Sequence, residues 1–188
     1  MRDGREYYFM ESYLFETVSK HFGDDGSLGA FDFMSIVIWK ANRAKSVTAL
    51  RLMGRAVDGE TLDDVCRRLT TALSSAPDNQ SRFRVLWDWD FRLPMASAVL
   101  SALFPTDFTV YDYRACEQLA ALGAGEHGGL DEKRPFEARW VGYSRFIDAV
   151  RASNPGFSLR DADRTLMGRS QAEQLESDIA AWSGAASS

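Results

Sequence analysis

The chain has 188 residues, of which 45% are hydrophobic and 26% charged, and it carries a net charge of −5. These are ordinary globular values for one domain, or for two small lobes sharing a cleft, and they exclude disordered and fibrous classes. No apolar run approaches the roughly 18 to 20 residues that span a bilayer, and Met1-Arg-Asp-Gly-Arg-Glu is not followed by a signal-peptide core. The expectation is a soluble, cytoplasmic monomer.

Taken in chain order, the pattern is helical. Phe31 to Trp39 suits either a buried strand or a buried helix. Because it continues into Lys40-Ala41 without a turn residue, helix is preferred, with a break near Asn42 or Ser46. Residues 61–73 place Leu62, Val65, Cys66, Leu69 and Leu73 on one face, behind Thr61 and Asp64 at capping-box spacing. Residues 85–103 read as a helix, a tight connection and a second helix, with Pro94 in its first turn and Phe104-Pro105 at its end. A further helix follows Asp112 and stops at Gly123. Gly123 to Pro135 reads as an exposed loop. Beyond it, Phe136, Trp140, Tyr143, Ile147 and Val150 recur at helical spacing. Ser158 and Asp161 form another capping box, and 171–182 aligns Leu175, Ile179 and Trp182. The fold class is all-α, as a single helical domain over 1–188 or as two lobes, one at about 30–125 and the other made of the terminal helices.

Few residues carry chemistry. Cys66 and Cys116 stand fifty residues apart inside helical patterns, so they read as buried thiols rather than as a disulfide scaffold or a metal site. Two histidines are too few for most histidine-based metal chemistry, and His127 reads as a loop residue. Asp88 and Asp90 lack a neighbouring ligand motif and read as solvated loop acids. From Met34 through Val57 there is no acidic residue, while Lys40, Arg43, Lys45, Arg51 and Arg55 supply five cations. On an acidic chain that segregation points to a local positive face able to follow phosphates. An aspartate at a helix start, as Asp112 is, serves first as an N-cap.

The segment VLWDWDFRLPMASAVLSALFPTDFTVYDYRAC, residues 85–116, resembles the helix-hairpin-helix DNA glycosylases, which include endonuclease III, adenine glycosylase and the alkylbase glycosylases. Their core reads L-P-G-V-G-x-[K/S/W]-T-A, followed sixteen residues after the Ala by the Asp of a V-D motif. Here Ala96 takes the place of that Ala, and sixteen residues on stands Asp112, in Thr109-Val110-Tyr111-Asp112. Upstream, Ile36-Val-Ile-Trp-Lys-Ala-Asn sits where the family has a leucine-rich helix ending in a polar turn facing substrate. The likeness spans roughly residues 30 to 125. It implies a compact glycosylase fold with a degenerate hairpin at about 85–103, acting on double-stranded DNA that carries a damaged or modified base. Asp112 would be the catalytic carboxylate. Trp39, Lys40, Tyr111 and Tyr113 would line the pocket for a flipped base, and Arg92, Pro94 and Met95 would join the basic run in holding DNA.

The sequence departs from that pattern in ways that narrow the chemistry. Asp90 and Arg92 replace two hairpin glycines. Pro94 replaces the lysine of the bifunctional members and cannot form a Schiff base. Two cysteines cannot hold a four-cysteine iron–sulfur cluster. The expectation is a monofunctional enzyme without cofactor or metal, in repair or in defence against modified phage DNA. A non-catalytic DNA-binding protein and a helical protein-interaction module stand as alternatives.

Overall fold

In a computed structural model, which describes residues 9–130 and 134–185, every regular element is helical. Met1–Glu6, residues 131–133 of the expected loop and the last residues of the Gly184-Ala-Ala-Ser-Ser tail lie outside the described residues. Helix α1 comprises Met10–Ser12, a π-helical stretch Tyr13–Val18, and Ser19–Asp25. Then follow α2 (Ala30–Ala41), a 3₁₀ turn (Asn42–Ala44) and α3 (Lys45–Met53). After these come α4 (Leu62–Ser74), α5 (Asn79–Asp88), α6 (Leu93–Leu103) and α7 (Tyr113–Ala121). Helices α8 (Phe136–Ser153) and α9 (Leu159–Ala185) complete the chain. The run 31–39 is helical, and the break expected near Asn42 is the 3₁₀ turn.

Local chemistry accounts for most of these boundaries. Both halves of the capping box form at α4: the Asp64 amide donates to Thr61 Oγ1, and the Thr61 amide donates to Asp64. Ser158 accepts from the Asp161 amide at the start of α9. Helices α5 and α7 both end in a Schellman arrangement. After α5, the Asp90 amide donates to the Trp87 carbonyl and the Phe91 amide to Leu86; after α7, Gly123 donates to Ala120 and Ala124 to Leu119. Gly123 occupies the left-handed position at φ 73°. Asp90 does the same work at φ 60°, and no other described non-glycine residue has positive φ. The turn between α5 and α6 therefore keeps a glycine-like backbone with an aspartate in place.

One apolar cluster takes residues from every helix, and α6 runs through it: Leu93 and Ala96 through Leu103 are all buried. Its small residues Ala96, Ser97, Ala98, Ser101 and Ala102 let neighbouring backbone come close. Between α5 and α8, Phe83 stacks on Phe136 with centroids 5.5 Å apart and also meets Trp140 and Tyr143. Cys66 and Cys116 are both buried and free.

The end of α9 behaves differently. Leu175, Ile179 and Trp182 form the expected stripe, but they are 54%, 51% and 65% exposed. The helix continues past the body that buries Leu159, Ala162 and Leu166, so a regular apolar spacing does not make a core face there.

Candidate functional site

A cleft of about 940 Å³ opens where four segments meet: the end of α2, the start of α6, the start of α7, and the loop after α7. Lys40, Arg43, Arg92, Pro94 and Met95 line one side; Tyr111, Asp112, Tyr113, Cys116 and Glu117 line another; Glu126, Gly128 and Gly129 close it. Asp112 and its neighbours reach this place because the extended segment 108–112 is pinned from behind. The Tyr111 amide donates to Ser97 Oγ on α6 at 2.8 Å, and Tyr143 Oη donates to the Thr109 carbonyl at 2.7 Å. Both anchors are buried.

Asp112 caps α7, its Oδ1 accepting from the Arg114 amide at 3.1 Å. Its Oδ2 lies 2.9 Å from Lys40 Nζ. The two side chains are 22% and 17% exposed, so this ion pair faces the cleft without being fully solvated. It joins residues 72 apart in sequence. Cap and cleft carboxylate are thus one residue, because a helix start leaves one carboxylate oxygen for the cap and one for the cleft.

Of the residues proposed for a base pocket, the cleft brings together Lys40, Tyr111 and Tyr113. Tyr113 is 62% exposed at the rim, with its hydroxyl accepting from Arg114 Nε. Tyr111 is buried: its ring meets Phe146 edge-on and its hydroxyl donates to the His127 carbonyl at 2.8 Å. Trp39 is not among the cleft residues. It packs edge-on against Phe15, 5.6 Å between centroids, and borders a smaller cavity on the core side. One helical step of about 100° turns Trp39 inward where Lys40 turns outward.

The basic residues separate in the same way. Arg43, Arg92, Pro94 and Met95 line the cleft. Lys45 is exposed nearby and donates to Asn42 Oδ1. Arg51 and Arg55 do not line it; they hold the α5–α6 turn, Arg51 donating to the Asp90 carbonyl at 3.0 Å and Arg55 pairing with its carboxylate at 2.6 Å.

Sequence reasoning passed over Glu117, Glu126 and the two loop glycines, and it read Cys116 as a buried thiol without placing it on a cleft wall. Glu117 lies one helical turn beyond Tyr113, a spacing that could have placed it on the same face. The loop glycines gave no such signal. His127, assigned nothing, contributes its backbone carbonyl to Tyr111 and its ring to Phe146. Burial pushes the Cys116 thiol up to about 11, so it is an inert wall rather than a nucleophile. Among the described residues, no group of three or more His, Cys, Asp or Glu could hold a metal ion, and no helix is long and apolar enough to cross a membrane.

No protein-family model, curated protein or solved structure matches this chain.

Proposed function

We propose that the protein is a monofunctional DNA glycosylase, which flips a damaged or modified base into this cleft and hydrolyses its N-glycosidic bond. The observation that carries the reading is Asp112, a partly solvated carboxylate on the wall of a large cleft beside the start of α6, sixteen residues beyond Ala96. Cleaving an N-glycosidic bond develops positive charge on the sugar. A carboxylate near the anomeric carbon stabilises that charge and orients or deprotonates the attacking water. Lys40 pairs with Asp112 and orients it until the sugar replaces it as the positive partner. Arg43 and Arg92 suit the flanking phosphates, and Tyr113 offers a flat surface to the extruded base.

The test is a panel of oligonucleotides with damaged bases, and of genomic DNA with modified bases, scored for abasic sites. Wild type is expected to release free base. Asp112→Asn is expected to bind DNA and fold normally, yet release base on the order of 10² to 10⁴ more slowly. Full activity in Asp112→Asn would assign catalysis to another group. Borohydride trapping is expected to give no adduct, because Pro94 has no amine. An adduct that disappears in Lys40→Gln would make the enzyme bifunctional, through a lysine on a different helix.

A non-catalytic DNA-binding protein is the second reading. It is favoured by the engagement of both Asp112 oxygens, one in the cap and one with Lys40. Salt-sensitive DNA binding without base release on any substrate would select it.

A further inference from the structure

Behind the cleft lies a second cavity of about 30 Å³, bordered by Trp39, Thr109 and Val110 on the cleft side and by Glu11, Arg160, Asp163 and Arg164 on the other. Trp39 precedes Lys40 on α2, and Thr109 lies three residues before Asp112. The two segments that present the ion pair to the cleft therefore present their opposite sides to this cavity. Asp163 Oδ1, Thr109 Oγ1 and Arg160 Nε are buried with no partner at full hydrogen-bond geometry, and the Thr109 hydroxyl faces the Asp163 carboxylate closely enough to favour its charged form. The volume accommodates one water molecule, and the three residues offer it two to three polar partners.

We propose that Asp163 is a positioning residue of the cleft, a half-buried carboxyl with one oxygen fully buried, that governs the Lys40–Asp112 pair from behind through Thr109, Trp39 and its own charge. The role bears on catalysis only if the cleft is the glycosylase site argued above. The charged and titratable groups acting on Asp163 come from every side. Lys40, Asp112 and Glu11 act on it directly, and Tyr143 feels its charge from α8. Arg160 and Arg164, on its own helix, are paired with Glu11 at 3.1 and 2.9 Å. Burial is the largest influence and pushes the Asp163 carboxyl up to about 7, against the attraction of Lys40.

Two states of the cleft follow. With Asp163 protonated, Lys40 belongs to Asp112 and the pair is neutral. With Asp163 ionised, one ammonium serves two carboxylates, the hold on Asp112 weakens, and the site gains a negative charge. Asp163 thus makes the cleft sensitive to pH around neutrality without touching substrate.

The test uses the free protein, so its outcome does not depend on any activity toward DNA. The chain has four lysines, Lys20, Lys40, Lys45 and Lys133. Reductive methylation with ¹³C-formaldehyde labels each, and loss of one signal in Lys40→Arg assigns Lys40. The Lys40 resonance is expected to show an inflection near pH 7 in wild type that disappears in Asp163→Asn. Should that variant fold poorly, Thr109→Val keeps the shape of the wall and removes the hydroxyl facing the carboxylate, and it is expected to move the inflection upward. No inflection in wild type, or one unchanged in Asp163→Asn or Thr109→Val, overturns the proposal. A clear inflection in a protein that never releases base would retain the coupling and remove the enzyme.

Discussion

On the cleft side of the segment 108–112, Asp112 meets solvent, an ammonium and a helix cap; on the other side, Asp163 meets a small cavity and no hydrogen bond for one of its oxygens. The residues are the same type and feel each other's charge, yet they are in opposite situations. Asp112 has a cation and solvent beside it, whereas desolvation makes charge costly for Asp163. The difference shows how one short segment separates a cleft-facing acid from one behind it: Ser97 and Tyr143 hold its backbone, so the groups on its two sides answer to separate environments.

Replacing Asp163 gives the largest expected change in stability. The Asp163 carboxyl has its folded value near 7 and an ordinary value of 3.8. The native state therefore holds a proton that the unfolded chain releases between those limits. The contribution to stability is complete below about pH 4 and is lost as pH rises to about 7, an effect on the order of 2–4 kcal/mol. Asp163→Asn is expected to remove that loss, so its stability relative to wild type improves from pH 4 to pH 8 in urea titrations. Parallel curves for the two proteins would mean that Asp163 is ionised in both states.

Breaking the anchor between the two sides comes next. Ser97→Ala fits the same space but removes the Oγ that accepts from the buried Tyr111 amide, and should cost about 1–3 kcal/mol. A loss no larger than that of an exposed Ser→Ala change would show that the segment is held without this hydrogen bond.

Charge reversals separate surface from scaffold. Arg43→Glu is expected to weaken duplex binding several-fold at low salt with an unchanged melting temperature. Arg51→Glu should weaken binding and also lower the melting temperature, since Arg51 holds the Asp90 carbonyl. If both variants bind as wild type does, the basic run is not part of a DNA interface.

The smallest effect is expected at the turn. Asp90→Gly relieves a left-handed aspartate, worth up to about 1 kcal/mol, and loses an exposed ion pair worth a few tenths. The net expectation is slight stabilisation; destabilisation would show that Arg55 contributes more through Asp90 than a surface pair usually does.

Much of the architecture was legible because helix boundaries are set by neighbours in sequence. The Thr61–Asp64 capping box, Pro94 in the first turn of α6, the stop at Gly123 and the cap at Asp112 each involve groups within a few residues, and each is present. Periodicity also gave the buried face of α4 correctly. The same rule was less informative for Leu175, Ile179 and Trp182, because spacing defines a face but not whether anything covers it.

The site was legible only in part. Lys40, Arg43, Arg92, Pro94, Met95, Tyr111, Asp112 and Tyr113 were named as candidates and share one cleft, whereas Trp39, Arg51 and Arg55 point elsewhere. Local sequence determined that Asp112 would start a helix and that 34–57 would be basic, since both follow from residue identity and order. Only the tertiary structure decided that Lys40 meets Asp112 across 72 residues, that Arg51 and Arg55 hold Asp90, and that Asp163 lies behind the cleft. Those contacts depend on how helices rotate and cross when the core closes, and a rotation of one residue, about 100°, exchanges an inward side chain for an outward one.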